Sequence, residues 1–321
     1  MRGSAQFSSP VGRSLFASTN RVLLWRDLAD RKRPTLGLAD WPLGVYAGWL
    51  GDISARLSGR VADVCGRARE IKEVAICKRD GVWAESLRVV IREVLDADQE
   101  VQRNIDDAPE DWRWRSLPTR SSSPCVSTSA SSSAHQSSDT ESSDTACASL
   151  FPRIVEPSDD AEIHGDHERT SSYPLRIDTY PTKAVATLWN AVRCVRLHLF
   201  HTLYELLLLL QKHPIWPPPS LPTPAVVRGT VLANVNDICA SVPYLLGDID
   251  TNGTLRCFSS IAGDRGKLSN SIALLWSLHK VCRVPNLEPG LKAWVVRVLE
   301  RIGTVGEMRQ ALNLSRMHST S

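Results

Sequence analysis

The stretch that decides the fold runs from Lys183 to Gln211, KAVATLWNAVRCVRLHLFHTLYELLLLLQ. Its apolar positions Val185, Leu188, Trp189, Val192, Val195, Leu199, Leu203, Leu206 and Leu210 fall mainly three and four residues apart. That spacing puts them on one side of an α-helix and predicts a helix of about eight turns. The run Leu206 to Leu210 resembles part of a membrane span, but Arg196, His198, His201 and Glu205 precede it and Lys212 follows. A span needs roughly 20 apolar residues, so the leucines read as a helix end buried on several sides, and no membrane association is expected.

Working outward, His213-Pro214 and Trp216-Pro217-Pro218-Pro219 end this helix and read as a rigid connector, because proline lacks the amide and restrains the residue before it. Ala225 to Val242 predicts the next helix, with Val227, Val231, Val235, Ile238 and Val242 on one face. Pro243 is expected to distort or stop it, and Leu245, Leu246 and Gly247 to close it. Asp248 to Ser269 is glycine-rich and irregular, after which Ile272, Leu275, Trp276, His279 and Cys282 restore the helical period. Pro285 and Pro289 isolate a helix through Leu291, Val295, Val298, Leu299 and Ile302, with Gly303 as its expected stop, and Gly306 to Met317 adds a shorter one.

Toward the amino terminus, Val61, Val64, Cys65, Ala68, Ile71 and Ala75 form another helical stripe. Asp80-Gly81 supplies a turn, and Trp83, Leu87, Val90, Ile91, Val94, Leu95, Val101 and Ile105 mark a second helix, so an antiparallel pair is expected. Arg21 to Pro34 carries a short helical pattern whose Arg31-Lys32-Arg33 end reads as solvated rather than as an import signal.

Between these regions the composition changes. From Ser116 to Ser149, 14 of 34 residues are serine, and to Ser172 nine acidic residues face only Arg120, Arg153 and Arg169. Such a segment cannot bury enough apolar surface to offset the entropy of ordering, so it reads as a disordered linker. The resulting division is a flexible terminus over 1–20, an N-terminal helical region over 21–115, the Ser-rich acidic linker over 116–172, a C-terminal helical regulatory domain over 173–317 and a flexible tail over 318–321. The fold class is mainly α: a multi-helix bundle or α-α superhelical regulatory domain with a disordered Ser-rich acidic linker.

A net charge of +3 gives no broad surface for polyanions, since non-specific DNA binding sums many phosphate contacts. Ten tryptophans are more than cores of this size require, so most anchor cores and a few suit an interface. The eight cysteines are too scattered for a metal knot or disulfide scaffold, and the first twenty residues lack a secretory pattern. Reduced thiols and a cytosolic or nuclear setting follow. The sequon Asn252-Gly-Thr254 serves better as a turn signal than as a glycosylation site, and Asn313-Leu-Ser315 carries no weight in that setting.

Candidate chemistry is thin. His198, His201 and Glu205 have helical spacing, but a zinc helix needs histidines four apart with a glutamate between them, so the histidines are expected at the polar edge of a packed helix. His164, Asp166 and His167 lie in the linker, and Gly263-Asp264-Arg265-Gly266 lacks the lysine and serine of a nucleotide loop. Cys194, Cys239 and Cys282 sit on or beside apolar stripes and are expected to pack. Asp111-Trp112-Arg113-Trp114-Arg115 has the residue types that stack on bases, yet reads as a helix-end cap over apolar surface. No catalytic, cofactor or metal residue is assigned.

Four blocks carry a family resemblance: Leu188-Trp189-Asn190-Ala191-Val192-Arg193 with Arg196-Leu197; Asp237 to Gly247, DICASVPYLLG; Leu274-Leu275-Trp276-Ser277-Leu278; and Trp294-Val295 with Leu299-Glu300-Arg301-Ile302-Gly303. In this order they resemble the carboxy-terminal regulatory region of fungal zinc-cluster transcription factors, over about Tyr180 to Leu314. The family's amino-terminal cluster of six closely spaced cysteines is not in this sequence. Two explanations stay open, a piece of a longer gene product and a relative that acts through protein contacts. The resemblance implies transcriptional regulation in the nucleus, protein partners in a regulatory assembly, compatibility with a homodimer and with a small-molecule effector, and no specific DNA binding by this chain alone. The competing classes are a helical scaffold or small-molecule-binding protein outside transcription, and an enzyme with a buried pocket; the expectation is no enzyme.

Overall fold

A computed structural model describes residues 26–34, 49–77, 82–118, 174, 176–212, 221–254 and 268–319. Among them, seven helices and one strand pair form an all-α multi-helix bundle with a small ribbon on it. The helices are α1 (Trp49–Cys77), α2 (Val82–Asp106), α3 (Lys183–Leu210), α4 (Pro224–Leu246), α5 (Leu268–Cys282), α6 (Pro289–Val305) and α7 (Arg309–Ser319). A single helical turn covers residues 26–30, and a short 3₁₀ turn covers Glu110–Trp112.

The helix that the leucine-rich stretch predicts is the centre of the molecule. Of the 28 residues of α3, 18 are buried, so it is covered on several sides rather than along one stripe. It packs against α1, α2, α4 and α5. Thr182 caps it by accepting from the Val185 amide at 3.2 Å. One apolar cluster runs through all of this, from Leu57, Val61 and Leu87 to Leu199, Ile238, Leu278 and Trp294, so both helical regions contribute to the same core. Each fully buried leucine or isoleucine there contributes about 1.5–3 kcal/mol relative to exposure.

Helices α1 and α2 form the expected antiparallel pair. Arg67 reaches Glu93 at 2.7 Å and Arg60 reaches Glu100 at 2.9 Å, so as one helix ascends the other descends by the same seven residues. The turn Asp80-Gly81 lies outside the described residues, as do residues 1–20, the linker beyond Pro118, His164, Asp166, His167, the tract Trp216 to Pro219 and Gly263 to Gly266.

Five details differ from the sequence reading. Ser116, Leu117 and Pro118, counted with the linker on composition, belong to strand β1 (Arg115–Pro118), which pairs antiparallel with β2 (Arg176–Thr179) in the register Arg115 to Thr179. Pro243 does not stop α4, one of its two expected effects: it lies one turn from the end, and the helix closes at Gly247 (φ 80°), as expected, where Asp248 N–H bonds the Pro243 carbonyl and Gly247 N–H the Tyr244 carbonyl. Gly303 is not a stop but a contact point inside α6, since a Cβ there would lie 2.5 Å from Leu312 Cγ. His318 is buried and Ser319 is helical, so the tail expected from 318 begins later. His198 and His201 are not at a polar edge but buried, at 3% and 7% exposure.

Candidate functional site

Two polar clusters interrupt the core. The first gathers around Asp178, which is fully buried on β2. Its carboxylate accepts from Ser116 Oγ at 2.7 Å, Arg176 Nε at 3.2 Å and Arg193 Nη2 at 3.3 Å. The Arg193 guanidinium also donates to Tyr180 Oη, to the Asp237 carbonyl at 3.1 Å and to Asn190 Oδ1 at 3.4 Å. Asn190 Nδ2 donates to Ser241 Oγ at 2.7 Å, and Ser241 donates to the Ile238 carbonyl at 2.6 Å. The Asp237 carboxylate takes a second bond from Arg176 at 2.5 Å, so two carboxylates face two guanidinium groups and donors find acceptors, which is what a buried network needs in order not to cost stability. Burial raises the Tyr180 hydroxyl to about 12, so it stays protonated.

The Asp111 to Arg115 segment, expected as a cap over apolar surface, packs Trp112 and Trp114 against the core and also covers this polar network. Trp114 meets Trp189 edge-on at 4.9 Å and lies 4.8 Å under the Arg193 guanidinium, while Trp189 Nε1 donates to the Trp112 carbonyl at 2.8 Å.

The second cluster lines a cleft of about 730 Å³ between the 26–34 segment, α1, α3 and the end of α5. That volume is in the range of small-molecule sites. At its centre Glu205 accepts from Arg31 through two bonds, at 2.7 and 2.9 Å, and from Lys72 Nζ at 2.7 Å. Arg31 reaches it from a strained position. Its φ is 51°, and the Arg31 and Lys32 amides close the preceding helical turn on Leu28 and Asp27. A glycine is usual at such a helix end, and another residue costs of order 1 kcal/mol. The segment also lies directly on α1 at Gly66, where a Cβ would meet the Arg33 amide nitrogen at 2.6 Å. The basic triplet is thus divided: Arg31 turns inward, while Lys32 and Arg33 stay outside with Asp30 and Glu70.

His201 stands beside Glu205. Arg31 Nη2 lies 3.3 Å and Lys280 Nζ 3.2 Å from its Nδ1. An arginine can only donate, so Nδ1 is the acceptor and the proton of the neutral ring is on Nε2. That Nε2 lies 3.3 Å from Glu205 Oε1 but is not aligned with it and makes no hydrogen bond. Burial, with the positive charges of Lys280 and Arg31, holds His201 well below the usual imidazole range, and the same causes lower His198. Burial pushes Glu205 upward, but the hydrogen bonds and charge of Arg31 and Lys72 outweigh it and keep the carboxyl ionised. Lys280 is buried on α5 and falls to about 7, chiefly through burial and then through Arg31.

The cleft therefore sets an ionised carboxylate beside a neutral imidazole, and behind that ring lies an amine that titrates near neutrality. No metal-ligand set of three histidine, cysteine or acidic residues forms among the described residues. The thiols are not activated: burial raises Cys65 and Cys239 and lifts Cys194 and Cys282 to about 12. No described helix is long and apolar enough to cross a membrane.

His201 and Glu205 were visible in the sequence as a helical pair, but their partners were not. Arg31 is 170 residues away from His201 along the chain. The one local signal for Lys280 is its place three residues after Ser277, on a side of α5 that the stripe through Leu275 and His279 leaves out. No family model, curated protein or solved structure matches the chain.

Proposed function

We propose that this chain is a transcriptional regulatory protein whose helical bundle works by binding, to protein partners and to an effector. One observation carries the reading: polar contacts bring together three of the four blocks that resemble the regulatory region of zinc-cluster factors. Asn190 of the first block bonds Ser241 of the second, and Arg193 bonds the Asp237 carbonyl. Arg301 of the last block donates to Asp248, the residue that follows the second, at 2.9 Å. Blocks that touch in one bundle fit the resemblance better than blocks that only share an order along the chain, and the regulatory role rests on that resemblance.

A buried cluster with shifted proton affinities also meets a condition for the enzyme reading. The amine of Lys280, however, sits behind His201 rather than on the cleft wall, and the thiols are held protonated. These features favour holding a ligand over attacking one. The test is to recover what intact protein associates with in nuclear extract of the native organism, and then to offer the purified chain a random DNA pool. Transcription components without a selected DNA sequence are the expected result. One reproducible DNA sequence, or turnover of a small molecule with no regulatory partner, would refute the reading.

A further inference from the structure

The charges around Glu205 do not balance. Five cationic residues line the cleft: Arg31, Lys32, Arg69, Lys72 and Arg283. Asp30 answers Lys32 at 3.4 Å and Glu73 answers Arg69 at 2.8 Å, both near the rim. Glu205 is left to answer Arg31 and Lys72 together. Behind it, Lys280 has His201 Nδ1 as its polar contact, and Arg283 has no ion pair among the described residues. Nε2 of His201 has no acceptor. Arg283 is exposed and water can answer it, but Lys280 and His201 are buried, and buried polar groups left short of partners cost stability that packing alone does not call for.

We propose that this cleft binds a small oxyanion, a carboxylate or phosphate group, held by Arg31, Lys72 and Arg283 and completing the counter-charge that Glu205 begins. Guanidinium and ammonium groups brought to one cleft from three chain segments, the 26–34 segment, α1 and the residues just after α5, are what such a group requires. The oxyanion is the effector of the binding module proposed above, and the site rests on that reading for its role but not for its chemistry.

Proton linkage follows from Lys280. It faces Arg31, Cys65 of α1, Cys194, His198 and His201 of α3, and Arg283, with the Glu205 carboxylate on the far side of the His201 ring, and its amine titrates at about 7. An arriving anion favours the charged amine, so binding near neutral pH takes up a proton. Affinity then falls as pH rises above about 7. His201 titrates far lower, so with succinate uptake near neutrality reports Lys280; inorganic phosphate exchanges a proton of its own near neutral pH and is read for binding alone.

The test is calorimetry on the full chain near neutral pH, with inorganic phosphate and with succinate, each in two buffers of different ionisation enthalpy. One saturable site with proton uptake is expected, and whichever probe binds identifies the oxyanion. Arg283 is exposed, so Arg283→Ser probes the site without disturbing the core and should weaken binding about tenfold or more. Lys280→Met should abolish the proton uptake, while Arg297→Ser, an exposed arginine that does not line the cleft, should change nothing. Absence of saturation by either probe up to roughly 10 mM would overturn the proposal, as would binding that survives Arg283→Ser and Lys280→Met unchanged. If neither probe binds but regulatory partners are still recovered, the site is lost and the functional reading stands; binding without partners gives the converse.

Discussion

Glu205→Gln is the most direct perturbation of the cleft. The carboxylate ties three chain segments together, the 26–34 segment through Arg31, α1 through Lys72 and α3 itself, at 2.7 to 2.9 Å. Breaking a fully buried pair by removing one partner costs about 3–5 kcal/mol, and an exposed pair rarely contributes more than about 1. With 24% of the Glu205 side chain exposed, the cost falls between these limits, at about 2–3 kcal/mol.

The pH dependence separates charge from shape. The folded-state pKa of Glu205 is depressed below its ordinary value of 4.5. The contribution of the ionised group is therefore complete above that value, and it is lost as pH falls through the folded value. Urea midpoints of wild type and Glu205→Gln should differ by a constant amount near neutrality and converge in acid. A double-mutant cycle with Arg31→Met should show coupling of about 1–3 kcal/mol. A cost below about 0.5 kcal/mol near neutrality, or a difference that persists undiminished after acidification, would refute the assignment of Glu205 as the ionic tie.

Other perturbations act on separate parts of the bundle. Lys280→Met should raise stability by about 1–4 kcal/mol; the depressed amine costs most below pH 7, so the gain should shrink as the wild-type amine deprotonates between about 7 and 10.5, readable from urea midpoints across pH. Gly303→Ala, whose Cβ falls 2.5 Å from Leu312 Cγ and 2.9 Å from its amide nitrogen, should cost about 1–3 kcal/mol and loosen α7, seen as faster amide exchange over Arg309–Ser319. Arg193→Met leaves the fully buried Asp178 with Arg176 and Ser116 alone and should cost about 2–4 kcal/mol, with a red shift of tryptophan emission as Trp114 loses its covering cation. Cys65, Cys194, Cys239 and Cys282 should resist a thiol reagent in the native protein and react on denaturation, followed residue by residue with mass spectrometry.

The helices were legible where periodicity dominates. The stripes around Leu199, Val64 and Ile91 each become a helix in the core, because an apolar face at helical spacing has few other ways to leave water. Misreadings fall where tertiary contact overrides a local signal. Pro243 and Gly303 look like breaks, yet one is tolerated a turn from the helix end and the other is required by the approach of Leu312. The ribbon escaped because Ser116 and Arg176 are neither β-branched nor aromatic; they pair through their strands and through Asp178. Half of the cleft escaped for the same reason. His201 and Glu205 are one helical turn apart, but Arg31, Lys72 and Lys280 arrive from other elements, and no spacing rule joins them.

The contrast between the two polar clusters bears on what the cleft is for. Arg193 and Lys280 are both buried cations in one bundle, and the desolvation penalty applies to each. Arg193 is answered by Asp178, Tyr180, Asn190 and the Asp237 carbonyl, so its burial holds the ribbon to α3 and α4. Lys280 is answered by an imidazole nitrogen that Arg31 also addresses. A methionine of similar length would fill its place without the penalty, and stability alone gives no reason for the lysine. The strained φ of Arg31 points the same way, since a glycine would close that helical turn at less cost. Two residues that lower stability, in different elements, place charge on the same His201 ring, Arg31 from the cleft wall and Lys280 from behind it. Such local conflicts concentrate at functional sites, where the cost is offset by what the site binds.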